Sequence, residues 1–220
     1  MSSDHRAGGR VKRPVWAVVP AKSLTRGKSR LRPVLGDLER TLFAQRLLEH
    51  LLTVVRAAGL DGVLVATGGD DVAAIATAHG AEVLRDRGEG SLATVVDRAL
   101  AAVAARGAEA AIVLMADLPR IEPADVRALV GALDDHDVAL VCDHLGHHTN
   151  ALAIAPPTAM PTCFGREDSF DAHQKAARAA GLRAIVVASD RIAFDVDLPA
   201  DHEKLAGHDL LTGQRPATGT

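Results

Sequence analysis

The sequence predicts an α/β fold in which a single domain is built around a mostly parallel central sheet. Short apolar runs alternate along the chain with segments of helical length and spacing, a pattern typical of βαβ crossovers. The chain has 220 residues, of which 48% are hydrophobic, so it can bury one sizeable core. Only 2% of the residues are aromatic, so that core must consist mainly of Ala, Val, Leu and Ile.

The first apolar run, residues 15–19, lies between Pro14 and Pro20 and is too short for a helix. It therefore predicts a strand buried on both faces. Similar runs predict further strands at 63–67, 83–84, 111–115, 138–141 and 183–188. The intervening segments predict helices at 38–58, 71–79, 92–105, 123–133, 170–180 and 199–206, with Ser91 and Ser169 as two of the N-caps.

The alternation loosens after residue 143. Residues 144–150 are polar and rich in histidine, and an apolar stretch follows at 151–155. Three prolines come next, at positions 156, 157 and 161, and proline cannot donate to a strand ladder. The pattern predicts a small irregular lobe over the edge of the sheet.

The charge balance excludes several classes of partner. A net charge of −3 gives no overall attraction to nucleic acid or anionic membranes, and few aromatic residues are available to stack on single-stranded bases. No stretch approaches the length of a transmembrane span, and the first 13 residues lack the apolar segment of a secretion signal. We expect neither a nucleic-acid partner nor a membrane partner, and the oligomeric state stays open.

The cysteine spacing bears on the cellular compartment, and the composition of the two ends bears on the domain boundaries. Cys142 and Cys163 have neither a disulfide framework nor zinc-site spacing, so free thiols in a reducing cytoplasm are expected. Composition divides the chain into a disordered leader at 1–13, one domain at 14–211 and a disordered tail at 212–220.

A loop crowded with cations follows the first strand. Glycine allows a ligand to approach the backbone closely, and cationic side chains bind phosphate oxygens through charge-assisted hydrogen bonds. The loop lies at the carboxyl end of the strands, where open α/β sheets bind ligands. It matches neither the GxxxxGK[ST] nor the GxGxxG motif, and a solvated basic turn is the alternative. The residues predicted to bind a polyphosphate are Lys22, Arg26, Gly27, Lys28, Ser29 and Arg30.

Three aspartates form the acidic counterpart of this loop. Asp117 follows a buried strand directly, and Asp195 and Asp197 share one face if their segment is extended. Adjacent carboxylates repel one another unless a cation lies between them, and Mg²⁺ favours oxygen ligands together with substrate phosphates. The three predict a Mg²⁺ site facing the basic loop. A turn-capping Asp117 and an aspartate pair that caps the helix at Pro199 are the alternatives.

Other catalytic chemistries have weaker support. The histidines at 144, 147 and 148 lack a carboxylate or cysteine partner at a recognised ligand spacing, so a solvated loop is favoured over a zinc site. Ser169 has no nucleophile elbow around it, and no Ser/His/Asp set is apparent. Covalent catalysis is therefore not predicted.

Taken in order, the motifs resemble those of the CofC/FbiD family of guanylyltransferases over about residues 15–205. The resemblance implies a GT-A-like, Rossmann-related nucleotidyltransferase fold. It also implies transfer of GMP from GTP to a phosphorylated three-carbon acid, with release of pyrophosphate, in coenzyme F420 biosynthesis. Acceptors in the family are 2-phospho-L-lactate, phosphoenolpyruvate and 3-phospho-D-glycerate. The motifs are Val19-Pro20-Ala21-Lys22, Gly27-Lys28-Ser29-Arg30-Leu31, Ala116-Asp117-Leu118-Pro119, Thr149-Asn150-Ala151-Leu152, Phe164-Gly165, Ser169-Phe170 and Asp195-Val196-Asp197-Leu198-Pro199.

The resemblance also implies roles for individual residues. The metal-binding aspartates correspond to Asp117, Asp195 and Asp197, the acceptor pocket corresponds to Thr149, Gly165 and Ser169, and the basic loop holds the GTP phosphates. Lys28 and Asp117 are expected to act directly in catalysis, with Lys28 exposed and paired only with the ligand.

Departures from the family pattern lead to one hypothesis and two alternatives. His147 and His148 stand where the family usually has small residues, so His148 is a candidate acceptor ligand that favours 3-phospho-D-glycerate. A cytidylyl- or molybdopterin-type nucleotidyltransferase is one alternative. A non-catalytic nucleotide-binding paralogue is the other, because Ala93 replaces the usual asparagine.

Overall fold

Seven strands and seven helices make up the fold in a computed structural model that describes residues 13–88 and 90–205. The strands are β1 (Val15–Pro20), β2 (Gly62–Thr67), β3 (Glu82–Arg85), β4 (Ala110–Leu114), β5 (Val138–Cys142), β6 (Thr149–Ile154) and β7 (Ala184–Val186). The helices are α1 (Asp37–Ala58), α2 (Asp70–Ala78), α3 (Leu92–Ala104), α4 (Pro123–Ala132), α5 (Ser169–Ala179), α6 (Asp190–Ala193) and α7 (Pro199–Glu203).

The strands form one sheet in the order β3-β2-β1-β4-β6-β5-β7. All pairings are parallel except those of β6, which runs antiparallel to both β4 and β5. The sheet is therefore mostly parallel, as predicted. Each strand predicted from an apolar run is present, with boundaries that shift by up to two residues.

The prediction of an irregular lobe was wrong for residues 149–154, which form strand β6. Residues 149–154 are fully buried and lie between β4 and β5, inside the sheet and not over its edge. The prolines do not interrupt the ladder because they follow the last paired residue, Ile154. On either side of β6 the chain is irregular, in the turns at 143–148 and in the segment at 155–168.

Helices cover both faces of the sheet and create two apolar clusters. On one face α1, α2 and α4 contribute residues such as Leu51, Val72 and Leu129. On the other, α3 and α5 contribute residues such as Leu100 and Ala177. A third, smaller cluster joins Leu31, Phe43, Leu47, Phe194, Val196 and Leu205. This third cluster ties the end of the basic loop to the segment that carries Asp195 and Asp197.

The helix caps confirm one prediction and correct another. Ser91 is the N-cap of α3, and its Oγ accepts a hydrogen bond from the backbone N–H of Thr94 at 3.3 Å. Ser169 does not cap α5: Asp168 is the N-cap, and Ser169 is the first helical residue. The Ser169 hydroxyl accepts a bond from the N–H of Thr149 instead, across the sheet face, at 3.0 Å.

The terminal predictions fall mostly outside the described residues. Residues 1–12 of the predicted leader and residues 206–220, which include the predicted tail, are not described. Arg13, the last residue of the predicted leader, is described, and its guanidinium donates to the carbonyl of Leu133 at 3.4 Å. Cys142 and Cys163 are free thiols, as expected. Between residues 13 and 205, apart from residue 89, no helix is long and apolar enough to span a membrane.

Candidate active site

A cavity of about 470 Å³ opens at the carboxyl ends of the parallel strands. This is the position at which sheets of this kind bind ligands. The loop after β1, Asp86 and the first turn of α3 all line this cavity. All six residues predicted to bind polyphosphate line the cavity: Lys22, Arg26, Gly27, Lys28, Ser29 and Arg30.

The basic loop is shaped by two short 3-10 turns, Leu24–Arg26 and Ser29–Leu31. Lys28 joins them in the left-handed conformation, with φ 52° and ψ 34°. Few residues other than glycine adopt this conformation, so the surrounding contacts must hold it in place.

Two side chains from neighbouring helices anchor this loop. Asp71 Oδ2, at the start of α2, accepts hydrogen bonds from Ser23 Oγ at 3.0 Å and from the N–H of Leu24 at 2.9 Å. Arg40 on α1 is almost fully buried, and its Nη1 donates to the carbonyl of Gly27 at 3.2 Å. Asp71 and Arg40 thus fix the backbone of the loop, while its cationic side chains line the cavity.

The three predicted aspartates lie together at the same edge of the sheet. Asp117 comes just after β4, and Asp195 and Asp197 lie in an irregular segment after α6. A backbone hydrogen bond from the N–H of Val196 to the carbonyl of Asp117 joins the two segments. Carboxylate oxygens of all three residues lie within 4.8 Å of one another. The N-cap of α7 is Leu198, whose N–H donates to Asp201 Oδ2 at 3.0 Å, so neither Asp195 nor Asp197 is the cap of this helix.

Lys28 does not have the exposed position predicted for it. Its side chain is 9% exposed, and Nζ lies 2.7 Å from Asp117 Oδ2 and 3.1 Å from Asp197 Oδ1. Burial alone would lower the pKa of this ammonium, but the two carboxylates outweigh burial and raise the pKa above its ordinary value. Lys28 is not exposed because folding brings the cationic loop into contact with carboxylates that require a counter-charge.

Asp195 is held by two side chains that the sequence did not place in the site. Asn150 Nδ2 donates to Asp195 Oδ1 at 3.2 Å, and His144 Nδ1 lies 3.3 Å from the same oxygen. His144 Nε2 is 3.4 Å from Asp201 Oδ1, so the ring lies between two carboxylates although the turn that carries it is exposed, as predicted. The sequence signal that could have placed Asn150 in the site is the Thr149-Asn150 motif.

The acidic cluster fits a divalent metal ion. Burial, and then the negative charges of Asp117 and Asp197, raise the pKa of Asp195, which shows that the three carboxylates repel one another. All three offer hard oxygen ligands, which suit Mg²⁺ or Mn²⁺. Asp117, Asp195 and Asp197 are therefore the residues that would hold such an ion.

The residues predicted to bind the acceptor lie beside the cavity and do not line it. Thr149 and Ser169 are both 2% exposed. Thr149 Oγ1 is 2.9 Å from His173 Nδ1, while His173 Nε2 accepts the N–H of Cys163 at 2.8 Å. The proton of the neutral ring is therefore on Nδ1, which donates to Thr149. Burial lowers the pKa of His173 to about 4.

The other two predicted acceptor residues also lie outside the cavity wall. Gly165 has φ +85°, and a Cβ there would lie 3.0 Å from Cβ of Leu92, which lines the cavity. His148 is about half exposed, and its Nδ1 lies 3.1 Å from Asp143 Oδ2. Asp143 also accepts the N–H groups of residues 147 and 148, so this turn fixes His148 at a position that does not line the cavity.

A mostly parallel α/β sheet with a basic loop after its first strand, and with carboxylates at the same edge, is the arrangement expected of a transferase that uses a nucleotide. Solved structures have the same fold: a protein described as a nucleotide-diphospho-sugar transferase from Desulfovibrio desulfuricans aligns with a TM-score of 0.74 and 14% identity, over 90% of this chain and 88% of that one. Residues 15–213 match the family described as guanylyl transferase CofC like, and the chain belongs to that family.

Curated relatives carry guanylyltransferase names. A phosphoenolpyruvate guanylyltransferase from Sphaerobacter thermophilus is 38% identical over 93% of this chain and 98% of its own length. One of the same name from Rubrobacter xylanophilus is 39% identical over 87% of this chain and 93% of its own. A 3-phospho-D-glycerate guanylyltransferase from Phenylobacterium zucineum is 31% identical over 86% and 88%, respectively. A Mycobacterium tuberculosis protein of this fold, with a TM-score of 0.54 and 21% identity over 89% of this chain and 99% of that one, was solved with manganese.

Proposed function

We propose that this protein transfers GMP from GTP to a phosphorylated three-carbon acid and releases pyrophosphate, with Mg²⁺ as its metal ion and coenzyme F420 biosynthesis as its role. The observation that carries this proposal is the position of Lys28. It belongs to the basic loop, and its ammonium contacts two of the three carboxylates directly. A triphosphate in the loop would therefore have its α-phosphate beside the candidate metal ligands.

The chemistry needs no side-chain nucleophile. A phosphate oxygen of the acceptor is already ionised, and it attacks the α-phosphorus of GTP. A new P–O bond forms while the bond between the α-phosphorus and the oxygen that bridges to the β-phosphate breaks, and the electron pair leaves with pyrophosphate. Lys22, Arg26 and Arg30 line the cavity and supply positive charge for the departing group.

The carboxylate cluster would organise the two substrates. Asp117, Asp195 and Asp197 would hold a divalent cation, which would supply electrostatic stabilisation of phosphate charge. Lys28 contacts Asp117 and Asp197, and its ammonium would also be able to donate to phosphate oxygens of the nucleotide. Asn150 and His144 hold one oxygen of Asp195, so the carboxylate keeps its orientation.

Phosphoenolpyruvate is the acceptor that we propose first. The hypothesis of a 3-phospho-D-glycerate preference depended on His148, and that side chain is bound to Asp143 outside the cavity wall. The relatives at 38% and 39% identity are named for phosphoenolpyruvate, whereas the one named for 3-phospho-D-glycerate is 31% identical. 3-Phospho-D-glycerate is therefore the second candidate.

Pyrophosphate release by the purified protein tests the proposal. GTP, ATP, CTP and UTP would each be paired with the three acceptors in the presence of Mg²⁺, and we expect turnover with GTP and phosphoenolpyruvate. Turnover with CTP but not GTP would indicate a cytidylyltransferase. Nucleotide binding without turnover in any pairing would indicate a non-catalytic paralogue, and a higher rate with 3-phospho-D-glycerate would reverse the proposed order of acceptors.

A further inference from the structure

We propose that Asp86 selects guanine at the nucleotide site by accepting hydrogen bonds from N1–H and the N2 amino group of the base. This inference rests on the proposed use of GTP and adds the residue that chooses it. Asp86 is the first residue after β3, is partly buried and lines the same cavity as the basic loop.

The backbone holds Asp86 firmly against the next strand. Its N–H donates to the carbonyl of Thr67 at 2.9 Å, at the end of β2. A Cβ on Gly68 would lie only 2.8 Å from the Asp86 carbonyl oxygen, so the two strand ends are in close contact. The carboxylate is oriented as well, because Oδ1 accepts the N–H of Gly88 at 3.0 Å. Within residues 13–88 and 90–205, Oδ2 has no hydrogen-bond partner.

The position of Asp86 along the sheet matches the length of a nucleotide. Strands β3 and β4 are separated by β2 and β1 in the sheet order. Three steps between neighbouring strands correspond to about 14 Å. A nucleotide whose α-phosphate lies at Asp117, after β4, can therefore cross the basic loop and place its base beside Asp86.

The hydrogen-bonding pattern at this end suits guanine. Guanine presents two adjacent donors, N1–H and the N2 amino group, which a carboxylate can accept together. Adenine and cytosine would instead direct a ring-nitrogen lone pair at the carboxylate, and uracil has a single donor between two carbonyls. Leu92, in the first turn of α3, also lines the cavity, and the N–H groups of a first helical turn lack partners within the helix. Such donors suit O6 of guanine.

A plain structural role for Asp86 is the competing explanation. Its bond to the N–H of Gly88 is the kind that an aspartate makes in a turn. Asp86→Asn separates the two explanations, because the amide oxygen keeps that turn bond while an N–H donor replaces Oδ2. A residue with only a turn role would leave base choice unchanged.

The test compares GTP with xanthosine triphosphate, in which a carbonyl oxygen replaces the N2 amino group. We expect Asp86→Asn to raise the ratio of kcat/KM for xanthosine triphosphate to that for GTP by at least ~100-fold. The matched control is Asp70→Asn, at an exposed aspartate that pairs with Arg85 and does not line the cavity. An unchanged ratio in a folded Asp86→Asn protein would overturn the inference.

A second measurement uses the unmodified protein and so does not depend on a variant that folds. Inosine triphosphate keeps N1–H and O6 but lacks the N2 amino group, and we expect calorimetry to show at least ~10-fold weaker binding than GTP. Equal binding of the two nucleotides would contradict the role of Asp86. Failure of the protein to bind or use GTP at all would instead contradict the proposed function, so the two failures are distinguishable.

Discussion

Nζ of Lys28 lies 2.7 Å from Oδ2 of Asp117 and 3.1 Å from Oδ1 of Asp197, so an ammonium group occupies part of the space between two candidate metal ligands. The side chain of Lys28 is 9% exposed and its pKa is raised, so it stays charged near neutral pH. A divalent cation and this ammonium therefore compete for the same carboxylates.

Replacement of Lys28 by methionine should strengthen metal binding in the absence of nucleotide. We expect the Kd for Mn²⁺ to fall about 10-fold, because the competing charge is removed, while turnover with GTP also falls. Titration calorimetry with Mn²⁺ alone checks the first effect, with Lys175→Met, at an exposed position on α5, as the control. Weaker or unchanged Mn²⁺ binding would show that Lys28 does not compete for the site.

Asp195→Asn should lower Mg²⁺-dependent turnover by at least ~10-fold, because a candidate metal ligand is lost while the shape of the side chain is kept. The measurement is pyrophosphate release together with Mn²⁺ affinity. Asp135→Asn, at an exposed position after α4, is the matched control. Turnover within a fewfold of the parent would remove Asp195 from the metal site.

Arg40→Met should raise the KM for the nucleotide more than it lowers kcat. Arg40 is 3% exposed, donates to the carbonyl of Gly27 and pairs with Asp37, so it supports the loop from beneath. Its loss should also cost about 2 kcal/mol of unfolding free energy, since a buried hydrogen-bonded charge is removed. Denaturant unfolding and nucleotide titration measure the two effects, with exposed Arg56→Met as the control. An unaltered KM would show that the loop keeps its shape without Arg40.

His173 should make the fold less stable in mild acid. Burial lowers its pKa to about 4, whereas in the unfolded chain the pKa is about 6.5. Between these values the unfolded chain takes up a proton that the native state does not, so the free energy of unfolding falls as pH decreases. We expect a loss of about 2 kcal/mol between pH 7.5 and pH 5 from this residue.

Comparison with His173→Gln isolates that contribution. The variant should be less stable at pH 7.5 but should lose less stability between pH 7.5 and pH 5 than the parent. Chemical denaturation at both pH values gives the difference. Parallel pH dependence in the two proteins would show that the buried ring is not the cause.

Much of the fold could be predicted from local patterns in the sequence. A short apolar run between prolines, such as residues 15–19, has few conformations other than a buried strand. The placement of the basic loop and of Asp117 follows from this, because residues that come directly after parallel strands share one edge of the sheet. The N-cap role of Ser91 could also be predicted, because an N-cap bond joins residues only three positions apart.

Other features depend on contacts between residues distant along the chain, and only the tertiary structure decided them. The apolar run at 151–154 could pair inside the sheet because β4 and β5 leave a gap that an antiparallel strand fills, and its own residues do not indicate that gap. Lys28 is buried because Asp117 and Asp197, 89 and 169 positions away, need a counter-charge where the chain brings them together. The hydroxyls of Thr149 and Ser169 bind neighbouring protein groups because buried polar atoms must find partners, and which partners are within reach is set by how α5 packs on the sheet.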